Sequence, residues 1–338
     1  MIKKMNSVLL FSAFLFLIFN TNLYAQNAGA RFLLWKPSAK SMSLGGSGAA
    51  RFDGASSAYF NPALIAQTES VNAAGSFVKP LPFFNNIAHS YNAVSFRLLD
   101  YGYLAVSGNL FWRAEYVTTP KYLLSWQGKI SYAANISDWL AVGASMGYLH
   151  YKLTSAIVGS ESSKGKTNTM SFDFGAAVSS LLPGLTFSLP DQGISLFSEI
   201  APAESKQGIN FGLSILNLGP EITLIDKEQA DPMSSVLLAG ISYHAVSSDF
   251  FGLTISTDLE NQINEDPAFE FVRLGTDISL LRIFSLRWGY VSSLSSKYKS
   301  FAAFGGGINT KFVSFNIARY NSTFRPAWHF DAGVKLEF

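Results

Sequence analysis

The residues best suited to acid–base or metal chemistry are four histidines, and they stand far apart, at His89, His150, His244 and His329. None of their spacings is that of metal ligands on one chain. The absence of cysteine removes thiolate ligands, a cysteine nucleophile, a disulfide framework and a lipidated N-terminal cysteine. Gly46-Ser47-Gly48 opens like a dinucleotide fingerprint, but Arg51 stands where the third glycine belongs, and no strand–helix context or suitably spaced acid supports it. Ser242 and His244 share one face of an alternating segment, where a nucleophile could meet its base. Polar residues facing the inside of a barrel account for the same pair. Glu260, Glu265 and Asp266 form an acidic cluster that reads as a solvated outside loop rather than a calcium site. The sequence therefore predicts no enzyme, no cofactor and no metal.

The composition says what must position such residues. Of 338 residues, 48% are hydrophobic and only 14% are charged, against about 25% charged in ordinary soluble domains. Such a chain buries much of itself or faces lipid. The first residues predict a secretory signal peptide over 1–25. Lys3 and Lys4 precede an apolar run from Val8 to Phe19, and Leu23-Tyr24-Ala25 before Gln26 is a plausible cleavage site. The run is too short for a spanning helix, which needs about 20 residues. Without these residues the chain keeps 23 basic and 23 acidic side chains, so nothing points to a nucleic-acid partner.

The rest of the chain alternates with period two over segments of about ten residues, the pattern of transmembrane strands. Leu140, Val142, Ala144, Met146 and Tyr148 share one face, opposite Gly143, Ser145 and Gly147. Similar rows run through 207–217, 234–245, 250–259 and 269–280, with Arg273 and Asp277 on the polar face of the last. Trp112, Trp126, Trp139, Trp288, Tyr290 and Trp328 mark interfacial girdles near strand ends. Short connections near 136–138, 217–220, 246–249, 280–282 and 309–311 alternate with long ones near 153–168, 226–234, 260–268, 292–300 and 320–327. An up-and-down barrel sorts its loops in this way; a soluble sandwich has no reason to. The last strand carries Phe330, Ala332, Val334, Leu336 and Phe338 at every second place. It resembles the C-terminal signal by which outer-membrane barrels are recognised for insertion, with Phe330, Val334, Leu336 and Phe338 as its marks. A sheet in lipid has to close on itself. About 14 to 16 strand candidates, an even number, fill 67–338.

Residues 26–66 read differently. Phe32-Leu33-Leu34 is followed by a glycine run, Ser43-Leu44-Gly45-Gly46-Ser47-Gly48, and by Ala55-Ser56-Ser57-Ala58-Tyr59-Phe60-Asn61-Pro62-Ala63. Small residues permit close packing and positive φ, and Pro62 keeps Asn61 out of the helical region. The segment is predicted to fold as a plug inside the barrel, around Gly45, Gly46, Gly48, Asn61, Pro62 and Ala63. This arrangement resembles the PorV/PorQ family, related to the FadL-type fatty-acid channels, with Phe60 where that family often has Trp. The resemblance extends to Phe172-Asp173-Phe174-Gly175 and Leu216-Asn217-Leu218-Gly219-Pro220.

The resemblance implies an all-β fold, a FadL-like transmembrane antiparallel barrel of 14 strands with an N-terminal plug, in the outer membrane after export. It also implies a part in the type IX secretion and attachment machinery. There the outside loops, chiefly 153–168, 226–234 and 260–268, would handle secreted cargo domains or anchor machinery proteins. The Phe-Leu-Leu start looks closer to PorV, the length closer to PorQ. Outer-membrane lipid and, during biogenesis, the barrel-assembly machinery are the further partners expected. The alternative is a FadL-like channel for uptake of hydrophobic small molecules. The polar residues at the inward positions mildly disfavour a greasy cavity.

Overall fold

In a computed structural model, the described residues are 29–68, 71–79, 87–115, 121–152, 156–158, 161–163, 165–189, 207–223, 230–263, 270–294, 299–321 and 326–336. The expected signal peptide and Phe338 lie outside them.

Fourteen antiparallel strands make the wall. They are β1 (Val71–Val78), β2 (Ile87–Arg97), β3 (Tyr103–Glu115), β4 (Lys121–Ser137), β5 (Leu140–Lys152), β6 (Lys166–Leu181) and β7 (Gly208–Leu218), then β8 (Val236–Ser247), β9 (Phe251–Gln262), β10 (Phe271–Leu280), β11 (Phe284–Ser293), β12 (Phe301–Asn309), β13 (Val313–Asn321) and β14 (Pro326–Leu336). Each pairs with the next, and β1 pairs with β14 from Val71↔Leu336 to Val78↔His329, which closes the barrel. Closure leaves no edge whose amides would face hydrocarbon unpaired.

The alternation assigns the faces. In β5, Val142, Met146 and Tyr148 are exposed, whereas Ala141, Ser145 and Leu149 are buried toward the lumen. Ile130, Phe174, Leu286, Phe304 and Phe315 continue an outward apolar belt, each more than half exposed. A belt this continuous on a soluble protein would be an aggregation surface; in a bilayer it is the lipid-facing band. Trp288 departs from the girdle pattern, since it is the fifth of ten residues in β11 and sits within this belt.

At one end of the barrel, turns at 98–102, 138–139, 248–250, 281–283 and 310–312 join successive strands. The long connections lie at the other end. Two sequence expectations about connections are corrected. Residues 217–220 are not a short turn. Asn217 adopts a left-handed φ of 57°, and the register of β7 against β6 shifts between Ile215 and Leu218. This bulge leads into the long connection that ends at β8. Conversely, the 182–207 connection at the short-turn end is long, and its strand Phe187–Ser188 pairs in parallel with Val246–Ser247 of β8.

Residues 29–67 fill the lumen. A 3-10 turn over Arg31–Leu34 is followed by the short helix α1 (Ala39–Ser43) and by 3-10 turns over Gly54–Tyr59 and Pro62–Gln67. Ser38 caps α1 by accepting the Ser41 amide at 3.0 Å. Asn61 caps the last turn by accepting the Ala63 amide at 3.0 Å, with Pro62 at the first helical position, where its missing N–H costs nothing. The start of the plug is clipped to the β7–β8 connection: Gly29 N donates to the Pro232 carbonyl at 2.9 Å, and Ser234 Oγ donates to the Gly29 carbonyl at 2.6 Å.

Candidate functional site: the plugged lumen

The glycine run forms the centre of the plug. Gly45 and Gly46 take φ of 70° and 82°, left-handed values that side chains resist. The turn they make presents backbone polar groups to the wall. The Gly45 carbonyl accepts from Arg273 Nη1 at 2.8 Å, and Asp258 Oδ2 accepts the amides of Gly48 at 2.7 Å and Ala49 at 2.9 Å. The wall is hollowed to receive it. A methyl group on Gly212 of β7 would overlap the Ala49 carbonyl, and one on Gly289 of β11 would overlap Gly45.

Asn61 bonds the plug to two strands. Its Nδ2 donates to the carbonyls of Ala176 in β6 at 2.9 Å and Leu213 in β7 at 3.4 Å, and to Ala49 of the plug at 3.3 Å. Pro62 and Ala63 lie against Gly143 of β5. The six plug residues singled out in the sequence therefore all sit at the plug–wall junction. Phe330, Val334 and Leu336 face outward on β14, opposite Phe77, Ala73 and Val71 across the closing seam.

Charged side chains complete the junction. Glu260 pairs with Lys36 at 2.6 Å and with Arg273 at 2.9 Å, and all three are buried. This corrects the reading of Glu260 as part of a solvated loop. β9 runs on through Gln262, which turns position 260 into the lumen beneath Lys36. Burial pulls the Lys36 pKa down by more than the Glu260 carboxylate pushes it up. The ammonium also lies 5.7 Å from the centre of the Phe60 ring. Asp53 pairs with Lys40 at 2.6 Å and with Arg51 at 3.3 Å. Burial pushes the Asp53 carboxyl up, but these two cations outweigh it and hold its pKa below the usual carboxylate range. Asp277 Oδ2 accepts from Arg51 at 3.0 Å and from Arg287 at 3.2 Å. Sequence reasoning missed Arg287, Asn316 and the Lys129–Asp173 pair, which is 2.7 Å long. Their signal was a charged or amide side chain between outward apolar neighbours, as Arg287 stands between Leu286 and Trp288.

Apolar and polar groups occur on both sides of the plug centre: Leu64 and Ile65 of the plug pack in an alanine-rich cluster with Ala105, Ala133, Ala141 and Ala177, and Gln127, Lys129, Asp173 and Asn217 form a hydrogen-bonded network at the level of Leu149. Toward the long-loop end, Phe32, Leu33 and Trp35 of the plug pack with Phe111, Leu149 and Tyr151 of the wall and with Ile222 and Met233 of the β7–β8 connection. The Phe32 and Phe111 rings stack at 5.3 Å, and Trp35 meets Phe111 edge-on at 5.3 Å. Toward the short-turn end lies a cavity of about 360 Å³ lined by Lys40, Arg51, Asp53, His244, Asp277, Arg287 and neighbouring serines.

The remaining chemistry candidates do not converge. Among the described residues no three of His, Asp or Glu are placed to hold a metal. Ser242 Oγ donates to the Ala50 carbonyl at 3.2 Å, while His244 Nδ1 meets Thr254 Oγ1 at 3.0 Å, so the two do not form a dyad. His150 pairs with Asn168. His89 and His329 are buried in the wall, on the strands flanking β1, and the Trp35 ring packs edge-on against His89.

No family model matches the sequence, and no curated protein matches it significantly. Solved structures match through the fold. A deltaS2S3 mutant of the monoaromatic hydrocarbon channel TodX superposes with a TM-score of 0.55 at 11% identity, over 89% of this chain and 99% of that one. The CymD monoaromatic hydrocarbon channel gives 0.50 at 14% identity, over 89% and 98%. A Pseudomonas aeruginosa FadL homologue gives 0.50 at 9% identity, over 89% and 98%. Identities this low establish the architecture and leave the PorV/PorQ resemblance resting on the sequence alone. By its closed wall, lipid-facing belt and internal plug, the chain is a transmembrane barrel with the fold of the FadL-type outer-membrane channels.

Proposed function

We propose that this protein is a plugged outer-membrane channel that admits small hydrophobic molecules. The observation that carries the reading is the aromatic and aliphatic chamber toward the long-loop end, filled by the plug's own Phe32, Leu33 and Trp35. An apolar solute arriving there exchanges with side chains of its own kind. The burial each gains or loses, about 25 cal/mol per Å², nearly cancels in such an exchange. The opening cost then falls on the polar clasp beside it, Lys36–Glu260–Arg273. The inward polar residues that count against a greasy cavity include this clasp, the cavity below and the Gln127–Lys129–Asp173–Asn217 network beside the chamber. Aromatic hydrocarbons are cargo of structural neighbours by their names, which adds support for the solute class.

A second reading keeps the residues of the Asn-Pro-Ala box in view. A PorV/PorQ-like role would place secreted cargo domains or machinery proteins on the outside loops, whose central residues lie outside those described. In either case the partners during biogenesis and residence are the barrel-assembly machinery and outer-membrane lipid, after export by the signal peptide.

Deleting the gene in its source organism separates the two. Slower uptake of radiolabelled toluene or of a long-chain alkane by the deletion strain, restored by the intact gene, supports the channel. Normal uptake of both solutes, with proteins bearing type IX C-terminal signal domains accumulating in the periplasm, would replace it with the secretion role.

A further inference from the structure

The chamber toward the long-loop end contains a ring held between two others. The Phe32 ring of the plug stacks on Phe111 of β3 at 5.3 Å and 13°, and on Tyr151 of β5 at 6.0 Å and 24°. Strand register builds this arrangement. Phe111 pairs with Ser125 of β4, and the register Trp126↔His150 sets Tyr151 on the other side of Ser125. Phe111 and Tyr151 therefore stand two strand spacings apart, about 10 Å, with one small side chain between them. Ser125 is buried, and its Oγ accepts the Lys152 amide at 3.1 Å, so the wall itself satisfies the floor of the slot. The space over Ser125 takes one ring, and Phe32, itself buried, supplies it. Trp35 buttresses Phe111 edge-on.

The slot is one ring deep. The next inward row along the same strands is Asn109, Gln127 and Leu149. Asn109 Nδ2 donates to Gln127 Oε1 at 3.4 Å, and Gln127 Nε2 donates to Ser171 Oγ at 3.0 Å and to Asn217 Oδ1 at 3.2 Å. A long alkyl chain reaching past the first row would part these amides and leave them buried without partners. A single planar ring stops above them. We propose that Phe111 and Tyr151 form a clamp for one planar aromatic ring, and that Phe32 is its resident until an aromatic solute displaces it. The inference rests on the channel reading and narrows its solute from small hydrophobic molecules to those presenting a single aromatic ring. Stacking favours such a solute beyond its buried area. A saturated ring of the same carbon count is thicker and fits poorly between parallel ring faces.

The test is fluorine NMR on the full-length protein in maltoside detergent. Fluorobenzene and fluorocyclohexane are supplied as vapour at the same fraction of saturation, which fixes their chemical potentials whatever the micelles absorb. Phe32→Ala is expected to bind fluorobenzene saturably, at least about fivefold more tightly than fluorocyclohexane. The unaltered protein, in which Phe32 competes, is expected to bind it more weakly. Phe111→Leu added to Phe32→Ala is expected to erase the aromatic preference, with heat-modifiable migration on gels verifying a folded barrel. In the unaltered protein, fluorobenzene is expected to quicken tryptic cleavage after Arg31, beside the displaced Phe32, and fluorocyclohexane is not. A folded Phe32→Ala protein without saturable fluorobenzene binding, equal binding of the two solutes, or a preference that survives Phe111→Leu would overturn the clamp. Cleavage after Arg31 unchanged by bound fluorobenzene would overturn the part given to Phe32. Toluene uptake by cells separates this from the channel reading: uptake that depends on the gene, with a failed clamp, keeps the channel and removes the clamp. A sound clamp with gene-independent uptake removes the channel and leaves an aromatic-binding barrel.

Discussion

Asp258 of the wall accepts the amide of Gly48 in the plug at 2.7 Å, across 210 positions of sequence. The same oxygen takes the Ala49 amide at 2.9 Å. One carboxylate thus holds a turn whose backbone has no regular secondary structure to satisfy it. Hydrogen bonds to a charged acceptor contribute about 1.5–3 kcal/mol each, and buried donors left bare cost about 1–3 kcal/mol.

Replacing Asp258 with Leu strands both amides. The plug is expected to loosen by about 2–4 kcal/mol, while the strand ladder, which does not involve this side chain, persists. Planar-bilayer recordings should show larger or more frequent conductance steps than the parent. Unchanged conductance would mean that Asp258 does not hold the plug.

Gly212 tests the fit from the wall side. Gly212→Val drives a side chain into the Ala49 carbonyl, so the variant is expected to expel the plug or to assemble poorly. Gly108→Ala on β3 is the control, because its added carbon would meet nothing closer than 3.8 Å. Protease accessibility of the plug, scored against heat-modifiable migration of the barrel, distinguishes expulsion from misassembly.

The pH dependence of the plug's own packing follows in part from Asp53, whose partners Lys40 and Arg51 both belong to the plug. Its pKa is lower in the folded state, because Lys40 and Arg51 outweigh burial. A carboxyl shifted this way contributes stability above its unfolded pKa of about 4, and that contribution is lost as the pH falls through the folded value. Protease accessibility of residues 29–67 is expected to stay flat from pH 7 to about 4 and to rise below it, and Asp53→Asn is expected to reduce the size of the rise.

Deleting residues 29–66 is expected to leave an inserted barrel with a raised conductance, since β1 to β14 close without the plug. A truncated protein that failed to insert would make the plug a requirement for assembly instead. Changing Phe338 to Asp is expected to impair insertion, read as lost heat-modifiable protein in the membrane fraction.

The sequence by itself determined the wall. Period-two alternation names the outward face wherever one side meets lipid and the other does not, because a slip of one residue would exchange the faces. Val142, Met146, Arg273 and Asp277 were legible for this reason. The glycine run and Asn61-Pro62 marked the plug, since positive φ and a residue held extended before proline are local properties. Loop boundaries were less legible. A strand does not announce where it stops, so Glu260 was placed in a loop although β9 carries it into the lumen. Asn217 hid a bulge that looks like a turn in one dimension. Only the tertiary structure decided which wall residue meets which plug residue. Glu260 finds Lys36, Asp258 finds Gly48 and Asp277 finds Arg51, because the seating of the plug in the closed barrel brings together positions more than 200 residues apart. No spacing along the chain encodes that meeting.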